Sequence, residues 1–498
     1  MTGAVAARRR IAGLALVAVV AVSAGCALAP YHRLKRLPGA ASYPVGRSVK
    51  QALASDGFRR GGWPERDWWK EFGDAQLDSL VAQALAHNPG IDIARSRLRL
   101  ARDEVAVARA GLYPDIGASA SVIREKFSAN GLYPPPFGGA TYNQGQLSLD
   151  FGYDLDLWGR VRDEMRARVG EAKAAAAQAA EARLVITTGV ASAYFALQGD
   201  LARLHVTQQS LAQHQAFEHL VRLRAAGGLE TQLAVRQAQA DVASVEADLI
   251  RLRNVVAGDR RALAALIGEG PDAATAIQPP SSHFDRPFPV PAGLPVDLLA
   301  RRPDIMVRKW QVEAAAEEVG AARAGFYPNI SLTGQIGKQS LYLGKLLDPA
   351  SDFALFGPAI HLPIFEGGRL RATLRARYVQ YDIAVARYRQ TLIAASRSVA
   401  DGLAALESVT QELRKQGQAL QASEDARRIA MLRYRSGLTD YLTVLLVQQE
   451  VLQQRDIEAS LRTQRMQAVL NLIRALGGGY GDGRRMPLPS QKTGDSHE

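Results

Sequence analysis

The chain has 498 residues, 47% of them hydrophobic and 22% charged, with a formal charge of +12. That hydrophobic fraction excludes an intrinsically disordered chain, and the length suits two or three ordinary domains. The basic residues are scattered along helical stretches and form no block, so they read as solvated helix faces and no nucleic acid is expected as a partner. The single cysteine, Cys26, excludes an intrachain disulfide.

The N-terminus reads as an export signal. Arg8–Arg10 form a positive n-region and Ile11–Val22 an apolar h-region. Ser23-Ala24-Gly25-Cys26 then resembles a bacterial lipobox, with Ser23 where leucine is usual. The expectation is that residues 1–25 are removed and that Cys26 carries a covalent lipid. An ordinary signal peptide with an incidental cysteine is the alternative. Residues 26–66 form the lipid-anchored N-terminal segment, and Ala27, by its resemblance to bacterial lipoproteins, points to the outer membrane. No later run reaches the ~18 uncharged apolar residues of a membrane-spanning helix.

From residue 67 the chain reads as a duplication. ARAGLYPDI (108–116) matches ARAGFYPNI (322–330) at an offset of 214, and DLWGRVR (156–162) matches FEGGRLR (365–371) at 209. RAAGGLETQL (224–233) resembles RSGLTDYL (435–442) at about the same offset. Two repeats, 67–270 and 296–476, are joined by a proline-rich linker at 271–295. The tail, 477–498, reads as disordered. A period this long marks a duplicated domain, since solenoid repeats run to 20–50 residues.

Each repeat begins with a helix, 74–110 or 297–324, interrupted near Pro89 or Pro303. A first strand follows, with Ile116, Ala118, Ala120 and Val122, or Ile330, Leu332, Gly334 and Ile336, on one face. The returning strand is 144–157, or about 353–364. In 144–157 Leu147, Leu149, Phe151, Tyr153, Leu155 and Leu157 alternate with polar positions that include Asp150, Asp154 and Asp156. Alternation is a strand signal, but it leaves open whether the apolar row meets a soluble core or lipid. Trp158 then fits either an interface girdle or a core cap. A proline-free helix over 163–226 breaks at Gly227-Gly228 and returns over 229–267. The second repeat does the same over 369–435, Gly437 and 438–476. Leu249, Leu252, Val256, Leu263 and Leu266 form a coiled-coil-like seam, as do Met466, Leu470, Ile473 and Leu476.

Four strands of about ten residues are long enough to cross a bilayer. They cannot close a barrel alone, and an open edge in lipid leaves amides without partners. Either the strands are soluble or several chains share one barrel. Copies around an axis would also cover the apolar stripes of the hairpins.

The stretches DWWKEFGDAQLDSLVAQALAHNP, YDLDLWGR, LLARRPDI, GAARAGFYPNISLTG, LPIFEGGRLRA and RYRSGLTDYLTVL span about 67–478. Together they resemble the TolC-like outer-membrane efflux factors, in the NodT-type lipoprotein branch. The resemblance implies a mainly α chain with a transmembrane β part. Four strands per chain enter a shared trimeric 12-strand barrel that continues into a periplasmic α-helical barrel. It implies a passive exit duct of a tripartite efflux system in the outer membrane of a Gram-negative bacterium. The implied partners are two further copies, a periplasmic adaptor, an inner-membrane pump and outer-membrane lipid. The odd residues of 144–157 would then face lipid, and Asp150, Asp154 and Asp156 the lumen. The turns 222–231 and 434–441 map to the periplasmic gate and adaptor tip, with Glu230, Tyr434, Arg435 and Asp440 as gate residues. Many members carry Asp after the TVL segment, where this chain has Leu446, so the resemblance supports no acidic ring at that level. The stretch from Gly357 to Leu392 is most similar to members paired with fusaric-acid or aromatic-acid pumps.

Two other classes fit the sequence less well. An enzyme would need a motif such as GxxxxGKS/T, HExxH or GxSxG, and none is present. His214 and His219, five apart, suit no metal face, and no cofactor is expected. A periplasmic adaptor or scaffold lipoprotein fits the long hairpins but not four strands at matching positions.

Overall fold

The computed structural model describes residues 34–38, 46–52, 54, 58–280, 288–291 and 301–481. Cys26 and the export signal lie outside the described residues. In chain order the elements begin with α1 (Gly46–Ala52), β1 (Phe58–Gly61) and a 3-10 turn (Trp68–Phe72). The first repeat continues with α2 (Ala75–His87), α3 (Pro89–Ala110), β2 (Asp115–Lys126), β3 (Thr141–Asp154), α4 (Arg160–Ala226) and α5 (Gln232–Leu266). After β4 (Phe288–Pro291) the second repeat runs α6 (Pro303–Ala324), β5 (Asn329–Ser340), β6 (Asp352–His361), α7 (Arg369–Arg435) and α8 (Tyr441–Ala475). The order repeats, as the sequence offsets require. α4 and α7 have 67 residues each, and α5 and α8 have 35 each. At 1.5 Å per residue the longer helices measure ~100 Å.

The breaks follow from local chemistry. Pro89 and Pro303 open α3 and α6, where a missing N–H costs nothing. Gly228 and Gly437 both have φ 72, the left-handed conformation that ends α4 and α7. The duplication extends to the caps. The Asn88 side-chain amide donates to the Leu266 carbonyl at 2.7 Å, and the Arg302 guanidinium donates to the Ala475 carbonyl at 2.7 Å. Each satisfies a carbonyl that a helix C-terminus leaves unpaired.

The described residues divide into two compact units, and both repeats contribute to each. One holds Leu98–Ala175 and Arg308–Tyr388, with the strands β2, β3, β5 and β6. The other holds the described parts of 38–97 and 176–307 together with Arg389–Gly481. Its core explains the DWWKEFGDAQL motif. Trp68 meets Trp69 and Phe72 edge-on at 5.7 and 6.2 Å, and Phe72 meets Phe195 at 5.0 Å. Asp74 caps α2 by accepting from the Gln76 and Leu77 amides, and its other oxygen accepts from the Tyr194 hydroxyl at 2.7 Å. A buried carboxylate is tolerable only with such partners. Of the seam residues, Leu249, Leu252, Val256, Leu263, Met466, Leu470, Ile473 and Leu476 are buried, and Leu266 is half-buried.

Two boundaries differ from the sequence reading. Within the linker, Pro271–Ala276 is a 3-10 turn and β4 pairs in parallel with β1. Within the tail, residues 477–481 form ordered turns. Gly477 has φ 89, and a side chain there would strike the Arg301 carbonyl. Glycine-rich composition suggests disorder because it ignores packing that only glycine permits.

Asp259 of α5 lies beside Asp200 of α4, and its pKa is pushed up to about 6 by burial, by the Asp200 charge and by a shared hydrogen bond. A raised acid disfavours the charged form in the fold. The carboxylate therefore costs most stability above about pH 6, and the cost shrinks as pH falls from there and is gone near the ordinary carboxylate value of 3.8. Asp259→Asn is expected to raise the melting temperature at pH 7.5 by a few degrees, ~1–2 kcal/mol after solvent screening, and by roughly half as much at pH 5. Equal differences at both pH values would show that Asp259 is not the group responsible.

Candidate functional site: a sheet with one apolar face and a double helical tip

Strands β2, β3, β5 and β6 form one antiparallel sheet in that order, two hairpins side by side. The register aligns the apolar rows. Leu149 pairs with Ala118 and Ile336, and Phe151 pairs with Ile116 and Gly334. On the next strand Gly334 pairs with Phe356 and Ile330 with Ile360. Ile116, Leu149, Ile336, Phe356 and Ile360 are all exposed, so none of the described residues covers this face. It ends at the Lys338–Asp352 ion pair, beside the 341–351 connection. Gly334 leaves space for the Phe356 ring, which lies 6.4 Å from Phe151.

The opposite face carries a polar network. The Ser119 and Ser148 hydroxyls are 2.8 Å apart, and Ser119 donates to Asp150 at 2.9 Å. The Gln335 amide donates to Asp150 at 2.6 Å and to Ser148 at 3.2 Å. Asp154 accepts from the Asn329 amide at 3.3 Å. Phe353 and Leu355 also stand on this face, opposite Gly337 and Gln335, so its second-repeat edge is less polar than the first. β2 and β6 each pair on one side only, and both sheet edges are open.

The returning strand ends earlier than its alternation suggests. β3 stops at Asp154, so Leu155, Asp156 and Leu157 are not sheet residues, although the Leu155 amide still donates to Ile330 at 2.8 Å. Asp156 is an expected lumen residue that the structure reassigns. Its carboxylate accepts from the Val161 and Arg162 amides at 2.9 and 3.0 Å and from the Arg162 guanidinium. Burial pushes this acid up, but those donors outweigh it and hold the carboxyl below its usual range. It serves the start of α4, whose first amides need acceptors. Trp158 stacks on Tyr327 at 4.7 Å and donates to the Pro328 carbonyl at 2.8 Å. It ties the two strand–helix junctions of one unit together and is half exposed.

At the far ends of the long helices the two hairpin turns meet. Tyr434 is fully buried, packed on Phe217 with ring centroids 5.6 Å apart, among Val221, Val235, Ala430 and Val444. Its hydroxyl donates to Glu230 at 3.3 Å, and Glu230 lies 3.7 Å from the Arg224 guanidinium. That guanidinium stands over the Tyr434 ring at 4.6 Å. Burial first, then the Glu230 charge, pushes the Tyr434 hydroxyl up to about 12, so it remains a donor throughout the physiological range. Of the expected gate residues, Tyr434 and Glu230 are brought together. Asp440 instead caps α8, accepting from the Thr443 amide and hydroxyl, as Thr231 caps α5. Arg435 is exposed on the last turn of α7. Sequence reading missed Arg224 and Phe217. Position 433, where the second repeat aligns with Arg224, is also arginine, so the pattern offered no signal that only one of the two joins the tip core.

No described helix is long and apolar enough to cross a membrane. The described residues hold no group of three or more His, Cys, Asp or Glu side chains able to bind a metal. An open sheet with one bare apolar face, in a chain with helices of this length, suits a channel-wall protein of the outer membrane. Residues 80–269 and 294–478 match the outer membrane efflux protein family, and the chain belongs to it. It is 32% identical to the toluene efflux pump outer membrane protein TtgC of Pseudomonas putida, over 94% of this chain and 95% of that one. It is 34% identical to the fusaric acid resistance protein FusA of Burkholderia cepacia, over 73% of this chain and 68% of that one. Among solved structures, the outer membrane protein VceC of Vibrio cholerae is 37% identical and superposes with a TM-score of 0.79, over 84% of this chain and all of that one. The chain is thus an outer-membrane efflux channel, the exit duct of a tripartite system, with its helical part in the periplasm.

Proposed function

We propose that three copies close one twelve-stranded barrel in the outer membrane and continue as a helical tunnel. The observation that carries this is the four-stranded sheet with two open edges and one bare apolar face. Edge amides find no partner in hydrocarbon, so the edges must meet other copies. The apolar row of β2, β3, β5 and β6 faces lipid, and the Ser119–Ser148–Asp150–Gln335 network faces the lumen. Arg224, Glu230 and Tyr434 latch the two hairpin tips of each chain, and the tips meet a periplasmic adaptor joined to an inner-membrane pump. Cys26 carries the lipid anchor. The names of the relatives, toluene efflux and fusaric acid resistance, support small organic compounds as cargo.

The native mass of the detergent-extracted protein tests this reading. Three chains are expected, each lacking residues 1–25 and carrying acyl mass on Cys26. A water-soluble monomer would overturn the shared barrel and return the sheet to a soluble core.

A further inference from the structure

The apolar face of the sheet ends in a rim of charge. The strand ends nearest the helices are Asp115, Asp154, Asn329 and His361, so residues 124–126, 141–143 and 338–352 lie at the end remote from them. On β2, Arg124 and Lys126 follow Val122 at two-residue steps and share the face of Ala118, Ala120 and Val122. The two cations stand roughly 7 Å apart along the strand. Opposite them on β3 are the uncharged Asn143 and Thr141, while Glu125 alternates to the polar face. The 343–346 turn closes over the same end. A Cβ at Gly145, on the Leu147 face, would stand 2.9 and 3.2 Å from the Leu343 and Leu346 methyls. In that turn Lys345 and Leu343 are exposed, as is Leu347 beyond it. Lys338 is held by Asp352. Among the described residues Arg124, Lys126 and Lys345 have no ion-pair partner. With Lys338, Asp348 and Asp352 counted, the rim keeps a charge of +2.

We propose that Arg124, Lys126 and Lys345 form a binding site for the phosphates of the glycolipid in the outer leaflet. The inference rests on the reading above that the apolar row faces lipid. A cation on a lipid-facing strand is costly at mid-membrane and nearly free at the interface, so Arg124 and Lys126 mark where the hydrocarbon ends. The end of the sheet remote from the periplasmic helices faces the exterior. The outer leaflet there is built of a bisphosphorylated glycolipid, lipid A. An arginine fork grips phosphate with two parallel hydrogen bonds, and lysine adds a point charge. Below the pair the exposed Val122 and Leu147, with Leu343 of the turn, offer apolar contacts to the acyl chains. β2 is an edge strand, so in the shared barrel the pair stands at the seam between copies, where a bound headgroup bridges them.

Native mass spectrometry of the full-length protein, stripped of bound lipid in mild detergent, tests this with bisphosphorylated lipid A as the probe. The wild-type oligomer is expected to retain it at least about tenfold better than dephosphorylated lipid A, and Arg124→Gln with Lys126→Gln should lose most of that preference. Lys345→Gln should weaken retention about fivefold, while Glu125→Gln, on the opposite face, should leave it unchanged. Added lipid A should also raise the temperature at which the wild-type oligomer dissociates, and leave that of the double variant where it was. Equal retention of both lipid A forms by wild type would overturn the proposal. So would displacement by millimolar inorganic phosphate, which would mark a plain anion site. A double variant that keeps the lipid but loses the oligomer would overturn it too, because the cations would then pair with acids of the next copy. If the double variant does not assemble at all, Lys345→Gln alone decides. Failure of the lipid-facing reading would look different: wild type would be a water-soluble monomer that retains no lipid, and both readings would fall.

Discussion

Leu149→Arg is expected to remove the protein from the outer membrane, while Ser121→Arg leaves its level close to wild type. Leu149 lies in the middle of the sheet between Ala118 and Ile336, on the face that no described residue covers. A cation facing lipid near the bilayer midplane costs about 2–4 kcal/mol in a barrel strand. Three copies raise that to about 6–12 kcal/mol, comparable to the whole stability of an ordinary domain. Ser121 pairs with Gln146 on the opposite face, where an arginine keeps its water if that face lines the lumen. The readout is the amount of heat-resistant oligomer in outer-membrane fractions. Equal loss from both substitutions would mean that the sheet has no lipid side, and that its apolar row packs on something else.

Tyr434→Phe is expected to open the resting channel. The substitution keeps the ring, its packing on Phe217 and its place under the Arg224 guanidinium, and deletes only the hydroxyl that donates to Glu230. At 3.3 Å that bond sits at the weak end of its kind, worth about 1 kcal/mol per chain. If three tips open together the closed state loses about 3 kcal/mol, roughly a hundredfold in the open-to-closed ratio. Basal conductance in planar bilayers should rise at least about tenfold, and cells should admit large hydrophilic antibiotics. Glu230→Gln should act in the same direction, since it weakens the acceptor and leaves Arg224 without its charge partner. Because Tyr434 titrates only near pH 12, the latch should hold equally at pH 6 and pH 8. Unchanged conductance in Tyr434→Phe would reduce the contact to ordinary core packing.

Much of the architecture was legible in the chain because its determinants are local. Two helices of 67 residues follow from proline-free, alanine-rich stretches, and Gly228 and Gly437 mark their ends. The four strands follow from period-two alternation and turn signals, and the observed register puts the apolar rows of β2, β3 and β5 on one side, while β6 carries apolar residues on both. The duplication at offsets of 209 and 214 foretold that the second repeat would reproduce the element order of the first, whereas Asn88 and Arg302 capping equivalent helices emerged only in the structure.

What tertiary structure decided is where distant residues meet. Alternation continues through Asp156, but the strand does not. The carboxylate is taken by amides five and six residues ahead, and periodicity carries no information about such a cap. Asp440 fits a gate by composition and is a cap in fact, because the nearest unpaired amide claims a turn carboxylate first. Glu230 and Tyr434 are 204 positions apart, and Arg224 had no mark that set it apart from Arg433. Hydrophobic pattern and backbone punctuation therefore determined the elements and their faces. Only the folding of one repeat against the other decided which side chains form the latch, since a contact between remote residues is a property of the packed chain and of no single stretch.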